Sequence, residues 1–237
     1  MVGKGGGADP IRSYGRRHGR KLRTQRQDLL RDRLPALRIP QPLDQTGRLD
    51  PERLFAKAVS AVWLEIGFGA GEHIAWQAAA HPEIGFIGCE PFVNGVGALL
   101  ALIDRLGLDN VRVHDDDARP LLAALADGTI GRCFILFPDP WPKLRHHKRR
   151  LIAPATLDAL ARVLGDGAEL RVATDDPSYL GWILAALQAH PAFEWVVAGP
   201  ADWRARPPDW PATRYEAKAR AAGRMPCFLR FRRRARA

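Results

Sequence analysis

From about Val59 onward the chain alternates short apolar runs with longer stretches in which apolar residues recur every three or four positions. The runs at 62–66, 84–90, 111–115, 133–137 and 169–174 are short, dominated by aliphatic and aromatic residues and bounded by polar residues, Gly or Pro, which predicts strands. The stretches 72–80, 93–106, 120–126, 154–164 and 177–190 read as helices. Such alternation predicts a parallel sheet covered on both faces, because each helix carries the chain back to the same end of the sheet. Two later runs, 193–198 and 227–232, flank an irregular, proline-rich insert and predict a closing hairpin with a long loop that carries function. The expected fold is therefore α/β: a mostly parallel seven-stranded sheet with an antiparallel C-terminal strand.

The first forty residues break this pattern. With glycines from Gly3 to Gly7 and a basic run at 16–21, they carry too little apolar surface to fold alone, and are expected to form a flexible arm before a single domain over 41–237. Charge follows the same division. Residues 1–40 hold eleven Lys or Arg against three Asp or Glu, 41–203 hold fourteen against twenty-one, and 204–237 hold eleven against two. The segments thus carry +8, −7 and +9, an acidic body between cationic ends suited to a polyanion. Most of these cations are arginine, which pairs with phosphate in a planar, bidentate manner. Cys89, Cys133 and Cys227 form no C-x-x-C pair, so neither a disulfide framework nor a zinc site is expected. No apolar run approaches the roughly 18 residues of a membrane span, and no secretory leader is visible. A cytoplasmic protein without metal, monomeric or homodimeric, is the expectation.

The first strand ends on Glu65 and runs directly into Gly67, Gly69 and Gly71. Glycines let the backbone turn sharply and approach a ligand closely. A dinucleotide fingerprint would be G-x-G-x-x-G. Here the third glycine comes one residue early and a carboxylate precedes the first, which suits a cationic ligand better than a pyrophosphate. The pattern resembles the first motif of class I S-adenosylmethionine-dependent methyltransferases. Acidic residues then recur at strand ends, where a doubly wound sheet places its ligand: Glu90, the run Asp115, Asp116 and Asp117, then Asp139 and Asp175. Glu90 follows the glycine loop by about the interval at which an acid meets a ribose diol. Asp117 is placed to accept from an adenine amino group, whereas Asp115 and Asp116 read as helix-capping residues.

The fourth strand end carries Asp139 and Trp141 among three prolines, which hold the backbone rigid. Behind it, Lys143, Arg145, His146, His147, Lys148, Arg149 and Arg150 form a cationic run that can hold a phosphate backbone against the same crevice. Taken together, Leu64-Glu-Ile-Gly-Phe-Gly-Ala-Gly71, Phe137-Pro-Asp-Pro-Trp-Pro-Lys143, Arg145-His-His-Lys-Arg-Arg150, Ala173-Thr-Asp175 and Thr213-Arg-Tyr-Glu216 resemble the bacterial tRNA (guanine-N7)-methyltransferases, in that family's order. Arg12-Ser-Tyr14 and the basic stretch after it look like the arm that precedes the family's catalytic domain.

The resemblance implies a Rossmann-like methyltransferase fold, S-adenosylmethionine as cofactor, tRNA as partner and guanosine 46 of the variable loop as target. Carried over by position, Glu65, Glu90, Asp117 and Asp139 would contact the cofactor, and Asp139 would also be catalytic. Lys143, Asp175, Thr213, Arg214, Tyr215 and Glu216 would bind the substrate, and residues from Arg145 to Arg150 would touch RNA. Pro142 departs from the family's frequent pattern, and the choice between Asp116 and Asp117 for the adenine contact stays open. Guanine N7 carries a lone pair and no proton, so the reaction asks for alignment and charge compensation rather than a general base. Asp139 is then expected to orient the guanine edge, and Trp141 or Tyr215 either stacks on the base or serves packing. Three rival readings fit the residues less well. The glycine spacing argues against a nicotinamide-dependent dehydrogenase, the intact glycines and acids against a binding-only relic, and the single proline between Asp139 and Trp141 against a methylase of exocyclic amines.

Overall fold

The computed structural model describes residues 14–44 and 46–236. In chain order its elements are α1 (Thr24–Asp32), α2 (Leu34–Leu37), β1 (Ala61–Ile66), α3 (Glu72–Ala80), β2 (Ile84–Cys89), α4 (Val93–Leu106), β3 (Val111–His114), α5 (Ala118–Ala124) and β4 (Ile130–Leu136). Then follow α6 (Pro154–Val163), β5 (Leu164–Thr174), α7 (Pro177–Ala189), β6 (Phe193–Trp195), α8 (Ala201–Arg204), α9 (Arg214–Ala221) and β7 (Cys227–Arg233). The strands form one seven-stranded sheet in the order β3-β2-β1-β4-β5-β7-β6. β1 to β5 run parallel, and β7 is antiparallel to both β5 and β6. This is the mostly parallel α/β sheet that the alternating pattern predicts, in the Rossmann-like form that the resemblance implies.

Side-chain alternation along the strands divides the core between the two faces. Val62, Leu64, Ile66 and Ile87 join residues of α5, α6 and α7 in one cluster, while Phe86, Val111 and Val113 join Ile74 of α3 and Leu99, Leu100 and Ile103 of α4 in the other. β2 is buried at every position, as expected of a strand covered on both faces. Local chemistry sets the helix ends. Pro154 and Pro177 open α6 and α7, the Asp176 side chain accepts from the Tyr179 N–H at 2.7 Å, and Gly107 ends α4 at φ +63°.

The expected arm departs from expectation in its second half. Leu34 and Leu37 are buried in the α3/α4 cluster, Leu29 and Leu30 pack beside them, and the Ile39 N–H bonds the Val113 carbonyl at 2.9 Å. These few apolar residues, spaced along α1 and α2 among many charges, bury enough surface against α4 and β3 to join the domain. Residues 1–13, including Arg12 and the glycine-rich start, lie outside the described residues. Strand starts also differ. β4 begins at Ile130 and β5 at Leu164, because the two strands stay paired across an irregular register near Ile130 and Arg132, and Gly167 at φ +79° lets the chain follow that irregularity.

Candidate active site

At the carboxyl end of β1 the chain turns through Gly67 (φ +78°) and Gly69 (φ +58°) and enters α3 through Gly71 (φ +79°), conformations that side-chain-bearing residues rarely adopt. The Gly67 N–H bonds the Cys89 carbonyl at 2.8 Å and ties the loop to β2. A Cβ at Gly95 would lie 2.1 Å from the Gly69 carbonyl oxygen, so only glycine allows the start of α4 to come this close. Glu90 fixes the loop from beside it: one carboxylate oxygen accepts from the Gly69 N–H at 2.8 Å and the other from the Phe92 N–H at 3.0 Å. Burial raises this carboxyl above its ordinary range, partly offset by those two N–H groups, and the charges of Asp139 and Glu65 raise it further.

The loop floors a cavity of about 390 Å³, in the range of small-molecule sites, whose lining includes Gly67, Gly69, Glu90, Asp117, Asp139 and Tyr215. Asp117 caps α5 by accepting from the Arg119 N–H at 3.0 Å, and its oxygens take the Arg119 guanidinium at 2.8 and 2.7 Å. Burial would raise this carboxyl, but the Arg119 bonds outweigh it and hold it below the usual range. Asp115 and Asp116 are engaged by the N-terminal segment, pairing with Arg38 and Arg17, and Asp116 also accepts from the Asp117 N–H at 2.8 Å.

The turn after β4 forms the opposite wall. Phe137 (φ +53°) and Trp141 (φ +44°) both adopt the left-handed region, unusual for bulky side chains, and each precedes a proline whose ring disfavours the right-handed helical basin. Such residues cost of the order of 1–3 kcal/mol each and persist only where the surroundings dictate them. Here the Phe137 N–H bonds the Ala173 carbonyl at 2.8 Å, its ring stacks near-parallel to Tyr215 at 6.5 Å, and Arg150 Nε donates to the Pro140 carbonyl at 2.9 Å. Asp139, between the strained residues, keeps its outer surface open to the cavity, yet loss of water on its inner side raises its carboxyl above the ordinary range. The Arg149 guanidinium lies between the rings of Tyr14 and Trp141, 4.8 and 4.9 Å from their centroids.

The structure separates the expected site residues into those at the cavity and those that support it. Gly67, Gly69, Glu90, Asp117, Asp139, Tyr215, Arg149 and the largely buried Arg150 line it, whereas Glu65 and Gly71 do not. Glu65 is buried behind the glycine loop against His73, and at Gly71 a Cβ would strike Leu99. Thr213 caps α9 by accepting from the Glu216 N–H at 3.2 Å, and the Arg214 N–H bonds Glu72, also at 3.2 Å. Glu216 is buried and paired with Arg206 and Arg220, so its expected substrate contact gives way to a structural ion pair. Asp175 pairs with Arg224 at 2.6 Å.

The cationic run forms a 3-10 turn, Leu144–Arg149, in which Arg145 and Lys148 are exposed, as is Lys143 just before it. His146 packs edge-on against Trp141, and lost water contact together with neighbouring Arg149, Arg145, Lys143 and Lys148 lowers its pKa. His147 faces inward on Trp182. Arg150 corrects the expectation of RNA contact: it is 3% exposed, sits over the rings of Tyr179 and Trp182, and bonds Pro140 and Ser178. Residues three apart share a face of a 3-10 turn, which sends His147 and Arg150 inward together. Sequence reasoning missed Arg119, Phe137 and His73. Only His73 left a signal, four residues before Gln77 on one face of α3.

Among the described residues no cluster of three His, Cys, Asp or Glu side chains suits a metal ion, and no helix is long and apolar enough to cross a membrane. The three cysteines are free and buried, and burial raises the Cys133 thiol well above its ordinary range. Residues 60–228 match the profile of a family described as "Putative methyltransferase". Over 230 residues the chain is 58% identical to a tRNA (guanine-N(7)-)-methyltransferase of Rhodospirillum rubrum, covering 97% of this chain and 90% of that one. It is 54% identical to one from Paramagnetospirillum magneticum, covering 97% and 95% of the two chains. In fold it is similar to the 16S rRNA methyltransferase KamB, at a TM-score of 0.53 and 18% identity over 75% of this chain and 89% of that one. An rRNA methylase from Streptococcus thermophilus gives a TM-score of 0.51 at 12% identity over 81% and 92%.

Proposed function

The chain belongs to the tRNA (guanine-N(7)-)-methyltransferase family, and from that membership we propose that it methylates N7 of guanine in tRNA, at position 46 of the variable loop, with S-adenosylmethionine as donor. The observation that carries this reading is the meeting of Glu90, Asp117 and Asp139 with the glycine loop on one cavity, bordered by the cationic turn Leu144–Arg149. Three carboxylates in a partly closed cleft suit a ligand that carries a sulfonium, a ribose diol and an adenine amino group. When bound, the cofactor supplies an electrophilic methyl group.

The residues of the chain then have separate tasks. Glu90, already holding the glycine loop through one N–H, keeps lone pairs for the ribose hydroxyls. Asp117, fixed by Arg119, would accept from the adenine amino group. Asp139 accepts from the N1 and N2 edge of guanine, turning N7 toward the methyl, and its charge offsets the positive charge that the ring gains. No group has to remove a proton. The rigid prolines and the strained Phe137 and Trp141 hold Asp139 in position. Lys143, Arg145 and Lys148 face solvent beside the cleft and supply phosphate contacts, which suits recognition of a folded RNA by shape and backbone.

The test is incubation of the protein with labelled S-adenosylmethionine and unmodified tRNA transcripts, followed by nucleoside analysis. The expected product is 7-methylguanosine, present with guanosine at position 46 and absent when that base is changed. Methylation of another base would remove the position from the proposal, and no transfer to any tRNA would remove the activity.

A further inference from the structure

Behind the glycine loop a line of buried polar groups runs through the interior. Glu65, at the end of β1, takes His73 Nδ1 at 2.7 Å, and both side chains are almost fully buried. His73 Nε2 lies 3.2 Å from Gln77 Nε2, and the same Gln77 nitrogen donates to the Asp209 carbonyl at 2.8 Å. These contacts fix the protons. The Gln77 nitrogen has only hydrogens to offer, so His73 Nε2 must accept, which leaves its proton on Nδ1 to be donated to Glu65. Phe134 packs edge-on against the imidazole at 4.6 Å, and Trp210 covers it at 6.1 Å.

Neither end of this line touches the cavity, but each adjoins a segment that does. At one end Glu65 lies directly behind Gly67 and Gly69. At the other, Asp209 precedes the segment that caps α9 with Thr213 and places Tyr215 against the cavity. That segment is docked on α3 twice, from inside through Gln77 and from outside through Glu72, which accepts from the Arg214 N–H at 3.2 Å. We infer that His73 is a positioning residue, which holds the Glu65 carboxylate behind the cofactor loop and, through Gln77, couples that loop to the Tyr215 segment on the substrate side. The inference rests on the proposed function for the identity of the two ligands.

Breaking the line at different points tests it. In His73→Phe the ring volume stays and both polar contacts go. In His73→Asn the amide nitrogen takes the place of Nδ1 and restores the donor to Glu65 alone. Gln77→Met cuts the link to Asp209. Calorimetry of S-adenosylmethionine with the tRNA-free protein is expected to show binding weakened about tenfold in His73→Phe and restored to within about threefold in His73→Asn, since a hydrogen bond to a charged group is at stake. Gln77→Met is expected to keep cofactor affinity but to lose the effect of saturating S-adenosylhomocysteine on tRNA affinity, an effect that linkage makes reciprocal.

Wild-type cofactor affinity in a folded His73→Phe, equal weakness of the Phe and Asn variants, or unchanged coupling in Gln77→Met would overturn the inference. Should His73→Phe fail to fold, His73→Gln, whose amide cannot reach Glu65 in the same way, replaces it in the comparison with Asn. A wild-type protein that binds no S-adenosylmethionine would instead overturn the proposed function, so the two failures are distinguishable.

Discussion

The turn after β4 strips water from the inner side of Asp139 while its outer face stays open to the cavity, and both facts bear on what the residue does. If the carboxylate orients guanine and removes no proton, kcat/KM should be level from about pH 7 upward and fall on the acid side, earlier than for an ordinary carboxylate because this one is raised. Asp139→Asn should lower kcat by about a hundredfold, in line with loss of one preorganised electrostatic contact, and should abolish that acid limb. A profile governed by a group titrating near neutrality would speak against the role. Stability should move the other way. A carboxyl whose folded pKa exceeds its unfolded value binds its proton more tightly when folded, so its ionised form opposes folding above that pKa and the effect disappears as the pH falls through it. Asp139→Asn is therefore expected to raise Tm at neutral pH and to match the wild type in acid, which melts at two pH values would show. Position alone made Glu90, Asp117 and Asp139 legible in the sequence, because strand ends in such a sheet converge. Arg150 and Lys148 could not be told apart there, since a run of six basic residues shows no apolar rhythm to reveal which of them turns inward. Their variants should differ accordingly. Arg150→Ala, which loses a buried bond to Pro140 and two ring contacts, should cost about 1–3 kcal/mol of stability. Lys148→Ala should leave Tm unchanged and weaken RNA binding alone.

Among the elements, those with a strong hydrophobic rhythm were readable and those held by charge or by a few contacts were not. The bounds of α3 and α4 follow from sequence because the glycine loop and Gly107 punctuate them. α1 and α2 escape such a reading, since Leu29, Leu30, Leu34 and Leu37 are embedded in arginines that dominate the local composition. α9 is similar, with only Glu216 and Ala219 buried and its order resting on ion pairs and a cap. That cap offers a test of how an element serves the site. Thr213→Ala removes the acceptor for the Glu216 N–H and should cost about 1 kcal/mol. Because Tyr215 stands in the first turn of α9 and lines the cavity, the KM for tRNA should rise more than the small fall in Tm suggests, and Thr213→Ser should restore both. If Tm falls and KM does not, the start of α9 has no part in holding substrate.

At the scale of the whole molecule, the division into an acidic body and two basic ends is resolved by pairing. Part of the charge at the ends is already paired within the protein: Arg17 and Arg38 meet Asp116 and Asp115, Arg206 and Arg220 meet Glu216, Arg224 meets Asp175, and Arg233 and Arg236 share Asp166. Summing charge along the sequence therefore overstates what the C-terminal segment can offer a polyanion. Lys143, Arg145 and Lys148 differ, since they are exposed beside the cavity and form no ion pair with the described residues. Counterion release separates the two groups. A cation that neutralises a phosphate contributes about 0.7–0.9 to the slope of log K against log salt, whereas a cation already paired within the protein contributes little. Replacing Lys143, Arg145 or Lys148 with Ala should each reduce that slope by nearly one, with cofactor affinity and Tm unchanged. Arg233→Ala, which loses bonds to Asp166 and to the Ala161 carbonyl, should lower Tm and leave the slope intact. Titrations of tRNA at several salt concentrations would decide it. Equal loss of slope in both groups would mean that the C-terminal strand also lies against the RNA, and that its internal ion pairs open when the complex forms.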